Sequence, residues 1–381
     1  MNLIEIVPAH SMEHRAEIRR MGADVIPRDK SWQMIALLLA MVMVCAMALA
    51  GCSGKNGETD GTDANAEPYS KDIFAMDTYM TVSAYGEQGE KAVDSAVKEI
   101  NRLDALLSTG KDTSEVSALN KNEGGDLSAD TNALMDAALD LYESTDHVFD
   151  ITIYPVMKLW GFTDQNYKVP SDGDLKAALE LVDASTLDYN QSKKTVDFTV
   201  KGTKIDFGGI AKGYTSATVA QLYRDLGVTS GLINLGGNVQ TVGLKPDGSE
   251  WRIGIQHPED ENAMLGVVTT HDEAVITSGG YERNFEEDGV VYHHIIDPST
   301  GYPADSGLIS VTIVSEDGTL ADGLSTSLFI MGREKATEYW KSHQKDFDFI
   351  LCEEDGTLVV SSGLKDRFTP ADDNAKVEYV S

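Results

Sequence analysis

From Thr195 onward short apolar runs follow one another at close intervals, broken by stretches with a helical period, and this rhythm constrains the fold most. Residues 195–200 and 203–207 flank the Lys201-Gly202 turn and read as a hairpin. Further strands are expected at 232–235, 239–242, 251–255, 266–270, 274–277, 290–296, 308–314, 349–351 and 357–360. Upstream, residues 73–85 alternate apolar and small polar side chains and read as one strand. Helical periods cover 90–107 (Val93, Ala96, Val97, Ile100, Leu103 and Leu107 on one side), 131–142, 174–181, 210–226, 321–331 and 333–343. Strands in series interrupted by helices imply an α+β fold, a mainly antiparallel sheet with packed helices, in a large single domain or two tightly joined lobes.

That domain is expected to occupy residues 71–381, because the first seventy cannot contribute to it. Residues 34–50 are an unbroken uncharged run, preceded by Arg28 and Lys30 and followed by Gly51-Cys52. The run is at the short limit for spanning a bilayer and has the charged lead of a secretory signal. Its end, Leu49-Ala50-Gly51-Cys52, resembles a bacterial lipobox, in which the cysteine thiol carries a lipid before cleavage. Residues 1–51 are therefore expected to be a removed signal. Residues 52–70, rich in Gly, Asp, Asn and Thr, are expected to be a lipidated Cys52 on a flexible tether. The expected location is the extracytoplasmic face of the cell membrane. With Cys45 in the signal and Cys52 lipidated, only Cys352 remains, so no internal disulfide is expected. Cys352 reads as a small buried hydrophobe.

The chain carries 62 acidic and 31 basic residues, a formal charge of −31. Phosphate backbones require clustered Lys and Arg, so nucleic acid is excluded as a partner class. One phosphorylated small molecule held by a few local groups is not excluded.

Three polar segments interrupt the elements without a packing reason. In Asp206-Phe207-Gly208-Gly209-Ile210-Ala211-Lys212-Gly213-Tyr214 a strand runs into two glycines and a helix start, where free N–H groups attract anions. It lacks the spacing of a P-loop, and as a tight structural turn it would need no ligand. In His293-His294-Ile295-Ile296-Asp297-Pro298-Ser299-Thr300-Gly301 a strand leaves into a fixed turn; the histidine spacing does not suit zinc, and Asp297 reads as a turn cap. In Asp322-Gly323-Leu324-Ser325-Thr326, Asp322 reads as a helix N-cap. Asp322 and Thr326 also share a helix face, and a carboxylate with a hydroxyl suits a hard cation such as Mg²⁺.

Together with Met76-Asp77-Thr78, Phe149-Asp150-Ile151, Leu159-Trp160-Gly161-Phe162, Asn234 to Asn238 and Thr277 to Arg283, these segments resemble the ApbE family of FAD:protein FMN transferases. The resemblance covers about residues 70 to 365, and the DxGGIAKGY, HIxDPxTG and DxxST segments in this order are highly specific. Two departures stand out: the family usually has Met-Gly-Thr where this chain has Asp77, and Asp-Ala-Leu-Ser-Thr where it has Gly323.

The resemblance implies that FAD is a substrate whose FMN half passes to a Thr or Ser hydroxyl of an acceptor protein, releasing AMP. It implies Mg²⁺ at Asp322, Thr326 and the carbonyl of Gly209. It implies cofactor contacts from Met76, Phe149, Asp150, Ile151, Asp206, Lys212, Asn238, Ser278, His294 and Ile295. The acceptor hydroxyl needs a base; His294 is the first choice, Asp322 the second, and His293 reads as a neighbour. The implied acceptors are exported flavoproteins such as subunits of NADH:quinone reductase. An FAD pyrophosphatase using water on the same site is the nearest alternative. A flavin-binding lipoprotein without chemistry is a second, and the Asp322–Thr326 pair counts against it.

Overall fold

The alternating stretch at 73–85 folds as a hairpin and not as one strand. β1 (Tyr69–Ala75) and β2 (Thr78–Ala84) pair antiparallel from Tyr69↔Ala84 to Ala75↔Thr78. Met76 and Asp77 between them have φ of 47° and 59°, the mirror-image turn that matches strand twist and prefers glycine or a short polar residue. β1 also begins inside the segment read as tether. In this computed structural model the described residues are 67–381; the signal run, the lipobox with Cys52 and residues 53–66 lie outside them.

Helix α1 (Gly89–Leu107) buries Val93, Ala96, Ile100, Leu103 and Leu107, the face its period sets. α2 (Glu115–Asn122), β3 (Gly124–Asp126) and α3 (Ala129–Ser144) follow, the two helices capped by Ser114 and Ser128. A single 3₁₀ turn, Ile151–Ile153, leads into α4 (Tyr154–Trp160), then α5 (Asp172–Leu179). β4 (Leu187–Asn190) and β5 (Thr195–Phe198) complete a three-stranded sheet in the order β3-β5-β4. Residues 203–207, expected to pair with β5, form no strand, because both edges of β5 are already taken. Their backbone N–H groups turn sideways instead, Ile205 to Asn120 Oδ1 (2.7 Å) and Asp206 to the Ile151 carbonyl (2.8 Å).

After α6 (Ala211–Asp225) come β6 (Ser230–Asn234), β7 (Asn238–Gly243), β8 (Trp251–Gln256), β9 (Met264–Thr270), β10 (Ala274–Gly279), β11 (Asn284–Glu287), β12 (Val290–His293) and β13 (Leu308–Ser315). α7 (Gly318–Ser342) is broken at Gly332 (φ 74°), where the sequence divides its two helical periods. β14 (Asp348–Glu353), β15 (Leu358–Ser361), β16 (Phe368–Pro370) and β17 (Val377–Val380) end the chain, so two strands follow the last one expected.

The main sheet has nine strands in the order β1-β2-β6-β7-β10-β13-β14-β15-β17, antiparallel except for β15 with β17. β11 and β12 stand apart as a two-stranded hairpin, so residues 290–293 do not continue the sheet as expected. The central strands are apolar on both faces because both are covered. Ala274, Ile276, Phe349 and Leu351 face a core shared with α3 and α7, while Val275, Ile350 and Cys352 face one shared with β8 and β9. Cys352 is buried as expected, and burial pushes its thiol up to about 11, which leaves it unreactive. Among the described residues no helix is long and apolar enough to cross a membrane.

Candidate active site

The site forms where the first turn of α6 meets α7. The approach to α6 is fixed by two buried anchors, Phe207 and Ile210, and by an Asp206 carboxylate that accepts the Gly208 N–H at 2.8 Å. Burial pushes the Asp206 carboxyl up, and Arg283 partly offsets this. Gly209 then lies between two neighbours. A Cβ there would stand 3.2 Å from the Phe149 ring and 3.9 Å from Thr326 Oγ1.

The helices touch backbone to backbone at Gly213, where a Cβ would come within 2.1 Å of the Gly318 carbonyl oxygen and 2.5 Å of Asp322 Cβ. This contact explains the glycine of the AKGY segment and brings Asp322 onto α6. Its Oδ2 accepts the Gly213 N–H at 2.7 Å, and Lys212 Nζ lies 3.7 Å from Oδ1. Asp322 is therefore not the N-cap of its own helix; that cap is Asp317, which accepts from Thr319 and Leu320. Asp322 sits more than a turn inside α7 and caps α6 from the side. It is 3% exposed, and burial pushes its carboxyl up despite Lys212 and the Gly213 N–H.

Lys212 therefore leaves the buried Asp322 carboxylate only partly compensated. Thr326, one turn further on the same face, has a half-buried hydroxyl without a hydrogen-bond partner among the described residues. Among the described residues no three His, Cys, Asp or Glu side chains converge. A cation here would rest on one carboxylate, one hydroxyl and main-chain oxygen, a hard-donor set suited to Mg²⁺. Of the donors expected from sequence, Gly209 lies beside Thr326, and Asp322 sits one turn before Thr326 on the same helix; by type these groups fit the ion.

Ser278, at the end of β10, joins the same wall through Ser325 (Oγ to Oγ 2.7 Å), whose hydroxyl also bonds the Asp322 carbonyl. The Met76 sulfur lies 3.8 Å from the Thr215 hydroxyl on α6. Asn238 is 1% exposed, and among the described residues neither polar atom of its side-chain amide has a partner.

The two histidines separate cleanly. His293 uses both ring nitrogens, one toward the Ala304 carbonyl (3.1 Å) and one toward the Ile295 N–H (3.2 Å), and packs edge-on against Phe329. His294 places Nδ1 3.1 Å from the Arg283 carbonyl, which can only accept. The proton is thereby assigned to Nδ1, and Nε2 keeps its lone pair. Burial, and Arg283 next, push His294 down to about 3, so it is neutral at physiological pH.

Other expected contacts are committed elsewhere. Both Asp150 oxygens serve the fold, one taken by the Thr152 N–H and hydroxyl and the other by the Ala184 N–H. Phe149, Ile151 and Ile295 are buried in the main core, and of these Phe149 meets Gly209. Sequence reasoning missed Glu282 and Arg283. Glu282 is exposed by area, but crowding by protein atoms is the chief influence on its carboxyl and pushes it up to about 7. Lys212 opposes that shift and Asp322 adds to it, which puts Glu282 in the same charged cluster. The only signal was its place inside the Thr277–Arg283 segment. Two surface hollows, one against α1 and α6 and one against α3 and α7, include none of these residues.

The α+β scaffold thus sets a glycine-rich helix start against a buried carboxylate, a half-buried hydroxyl and a lysine. The chain belongs to the ApbE family, whose model matches residues 76–351. An FAD:protein FMN transferase of Klebsiella pneumoniae (strain 342) is 33% identical over 314 residues, 81% of this chain and 96% of its own. The protein of the same name from Treponema pallidum (strain Nichols) is 31% identical over 86% of this chain and 94% of its own. Among solved structures, the ApbE protein of Thermotoga maritima superposes with a TM-score of 0.74 at 32% identity, covering 78% of this chain and 98% of that one. The flavin transferase ApbE of Vibrio cholerae gives 0.71 at 28%, covering 79% and 99%.

Proposed function

We propose that this chain is an FAD:protein FMN transferase acting on a Thr or Ser hydroxyl of an exported flavoprotein. The observation that supports the reading is the α6–α7 crossing, which sets Lys212 and the Gly213 N–H against Asp322 and brings Gly209 beside Thr326. In the reaction the acceptor oxygen forms a bond to the FMN-side phosphorus, the pyrophosphate P–O bond breaks, and AMP leaves. Phosphoryl transfer of this kind depends on positioning and charge stabilisation. Asp322, Thr326 and the Gly209 carbonyl would hold Mg²⁺, which supplies Lewis-acid neutralisation of the pyrophosphate oxygens. Lys212 orients the phosphates, because the Ala211, Gly213 and Tyr214 N–H groups at the start of α6 are taken by the Phe207 carbonyl, Asp322 and the Ile210 carbonyl. His294, neutral with Nε2 unprotonated, takes the acceptor proton. Phe149 and Met76 line the flavin side.

Incubation with FAD, Mg²⁺ and an acceptor subunit of NADH:quinone reductase tests this directly. Covalently fluorescent acceptor is expected; free FMN and AMP without labelled protein would make the enzyme an FAD pyrophosphatase. We also propose a lipid on Cys52 that holds the enzyme at the extracytoplasmic face, on the strength of the lipobox. Replacing Cys52 by Ser should then release the protein from the membrane fraction, and a variant that stays there would overturn the anchor.

A further inference from the structure

We propose that the β11–β12 hairpin is the surface on which the acceptor polypeptide docks. This inference rests on the transferase reading, which requires a protein hydroxyl to reach His294. The hairpin is rooted in the site: Asn284 pairs with His293, and the next residues, Arg283 and His294, are joined by the His294 N–H to the Arg283 carbonyl at 3.0 Å.

One face of the hairpin is fixed. Phe285 and Tyr292 stack on each other at 5.4 Å and pack on Trp160, and Tyr167 stacks on Phe285 at 5.3 Å. The far end, beyond the Asp288-Gly289 turn, has no such packing. Val290 is 50% exposed and Val291 60%, and on this strongly acidic protein they leave opposite faces of β12, Val290 on the Phe285–Tyr292 face and Val291 on the other. Their cross-strand partners are Glu287 and Glu286. Acids beside exposed valines discourage pairing between copies of the same acidic hairpin. They leave room for a strand with an apolar side chain on each face and neutral or basic neighbours opposite the glutamates. Among the described residues the sheet has two strands, so each keeps an edge with no strand partner there. An extended acceptor segment can add there, with its side chains alternating toward the valines. The rigid aromatic face would then place that segment's hydroxyl at the root of the hairpin.

The test compares the full chain with a variant carrying Val290→Asp and Val291→Asp, and separately with Glu286→Lys. The acceptor is a folded flavoprotein subunit of NADH:quinone reductase, with FAD and Mg²⁺ present. The double variant should raise KM for the acceptor about tenfold or more with FAD affinity unchanged. Glu286→Lys, which keeps the valines, should change the salt dependence of that KM. An unchanged KM in both variants would overturn the dock while leaving the transferase reading intact. So would an altered oligomeric state at unchanged KM, which would assign the hairpin to a second copy of this chain. No label from the unmodified chain would overturn the transferase reading and the dock together.

Discussion

The carboxylate of Asp322 accepts the main-chain N–H of Gly213 at 2.7 Å, so one side chain both caps α6 and joins the proposed cation site. These two roles can be separated. Asp322→Asn keeps an oxygen for the Gly213 N–H but removes the charge. Asp322→Ala removes both and leaves a buried N–H unpaired, a loss of about 1–3 kcal/mol. FMN transfer, read by in-gel flavin fluorescence of the acceptor, should fall at least about a hundredfold in both. Only Asp322→Ala should lose stability in chemical denaturation. Full activity in Asp322→Asn would remove the carboxylate from the mechanism.

The same crossing makes opposite predictions for two glycines. At Gly213 an added methyl meets a carbonyl oxygen and a helix-anchored Cβ, neither of which can give way. Gly213→Ala should destabilise by about 1–3 kcal/mol and displace Lys212 from Asp322. At Gly323, where the family resemblance leads one to expect alanine, the methyl would meet Leu141 Cδ1 at 2.3 Å, with the next nearest atom at 3.6 Å. Leu141 thus fills the place of the missing methyl, and the end of a leucine can rotate. Alanine also favours the helix by up to about 1 kcal/mol. Gly323→Ala should therefore change stability by under about 1 kcal/mol and keep activity. Denaturant midpoints that reverse this order would refute the account.

Glu282 ties FAD affinity to pH. Its carboxyl stands near 7 in the free protein and shares a charged cluster with Lys212 and Asp322. Phosphates bound there repel its ionised form and raise its pKa further. Affinity should accordingly be weaker above pH 7, tighten as pH falls toward about 7, and level off below. The change should be roughly three- to tenfold, the range expected when binding favours the protonated over the ionised carboxyl by up to about 1.4 kcal/mol. Glu282→Gln should bind tightly at every pH in this range. Titration of flavin fluorescence without Mg²⁺ reads both, and a pH-dependent Glu282→Gln would exclude the assignment.

The α+β class and most elements of the main sheet were legible because the central strands are apolar on both faces and the helices keep one clean stripe. Two of the misreadings share a cause, dependence on a partner remote in sequence, and a third is local. Residues 203–207 have strand composition but find β5 already paired. The 73–85 run hides a turn because Met76 and Asp77 are not the glycines that usually mark one. Asp322 has the look of an N-cap, yet the helix it caps starts more than a hundred positions earlier. In the site, motif residues that act through type, such as Lys212 and Thr326, could be read directly. Glu282 could not, because its significance comes only from the charges folded around it. Asp150, conspicuous in its motif, has both oxygens occupied by the fold.

His294 gives the most direct test of the proton acceptor. Its folded pKa, about 3, lies below the ordinary histidine value of 6.5. Between those values the unfolded chain binds a proton that the folded chain refuses, so this group's contribution to stability rises with pH from about 3 to 6.5 and is flat above. The stability of the unmodified chain minus that of His294→Gln should follow that curve. A difference independent of pH across the window would mean that the ring is not held neutral. Kinetically, His294→Ala should retain FAD binding, since Nδ1 only meets the Arg283 carbonyl, but lose transfer by about a hundredfold or more, the usual range for a missing base. Loss of FAD binding in step with turnover would instead make His294 a cofactor contact, and the proton would have to leave by another group of the cluster.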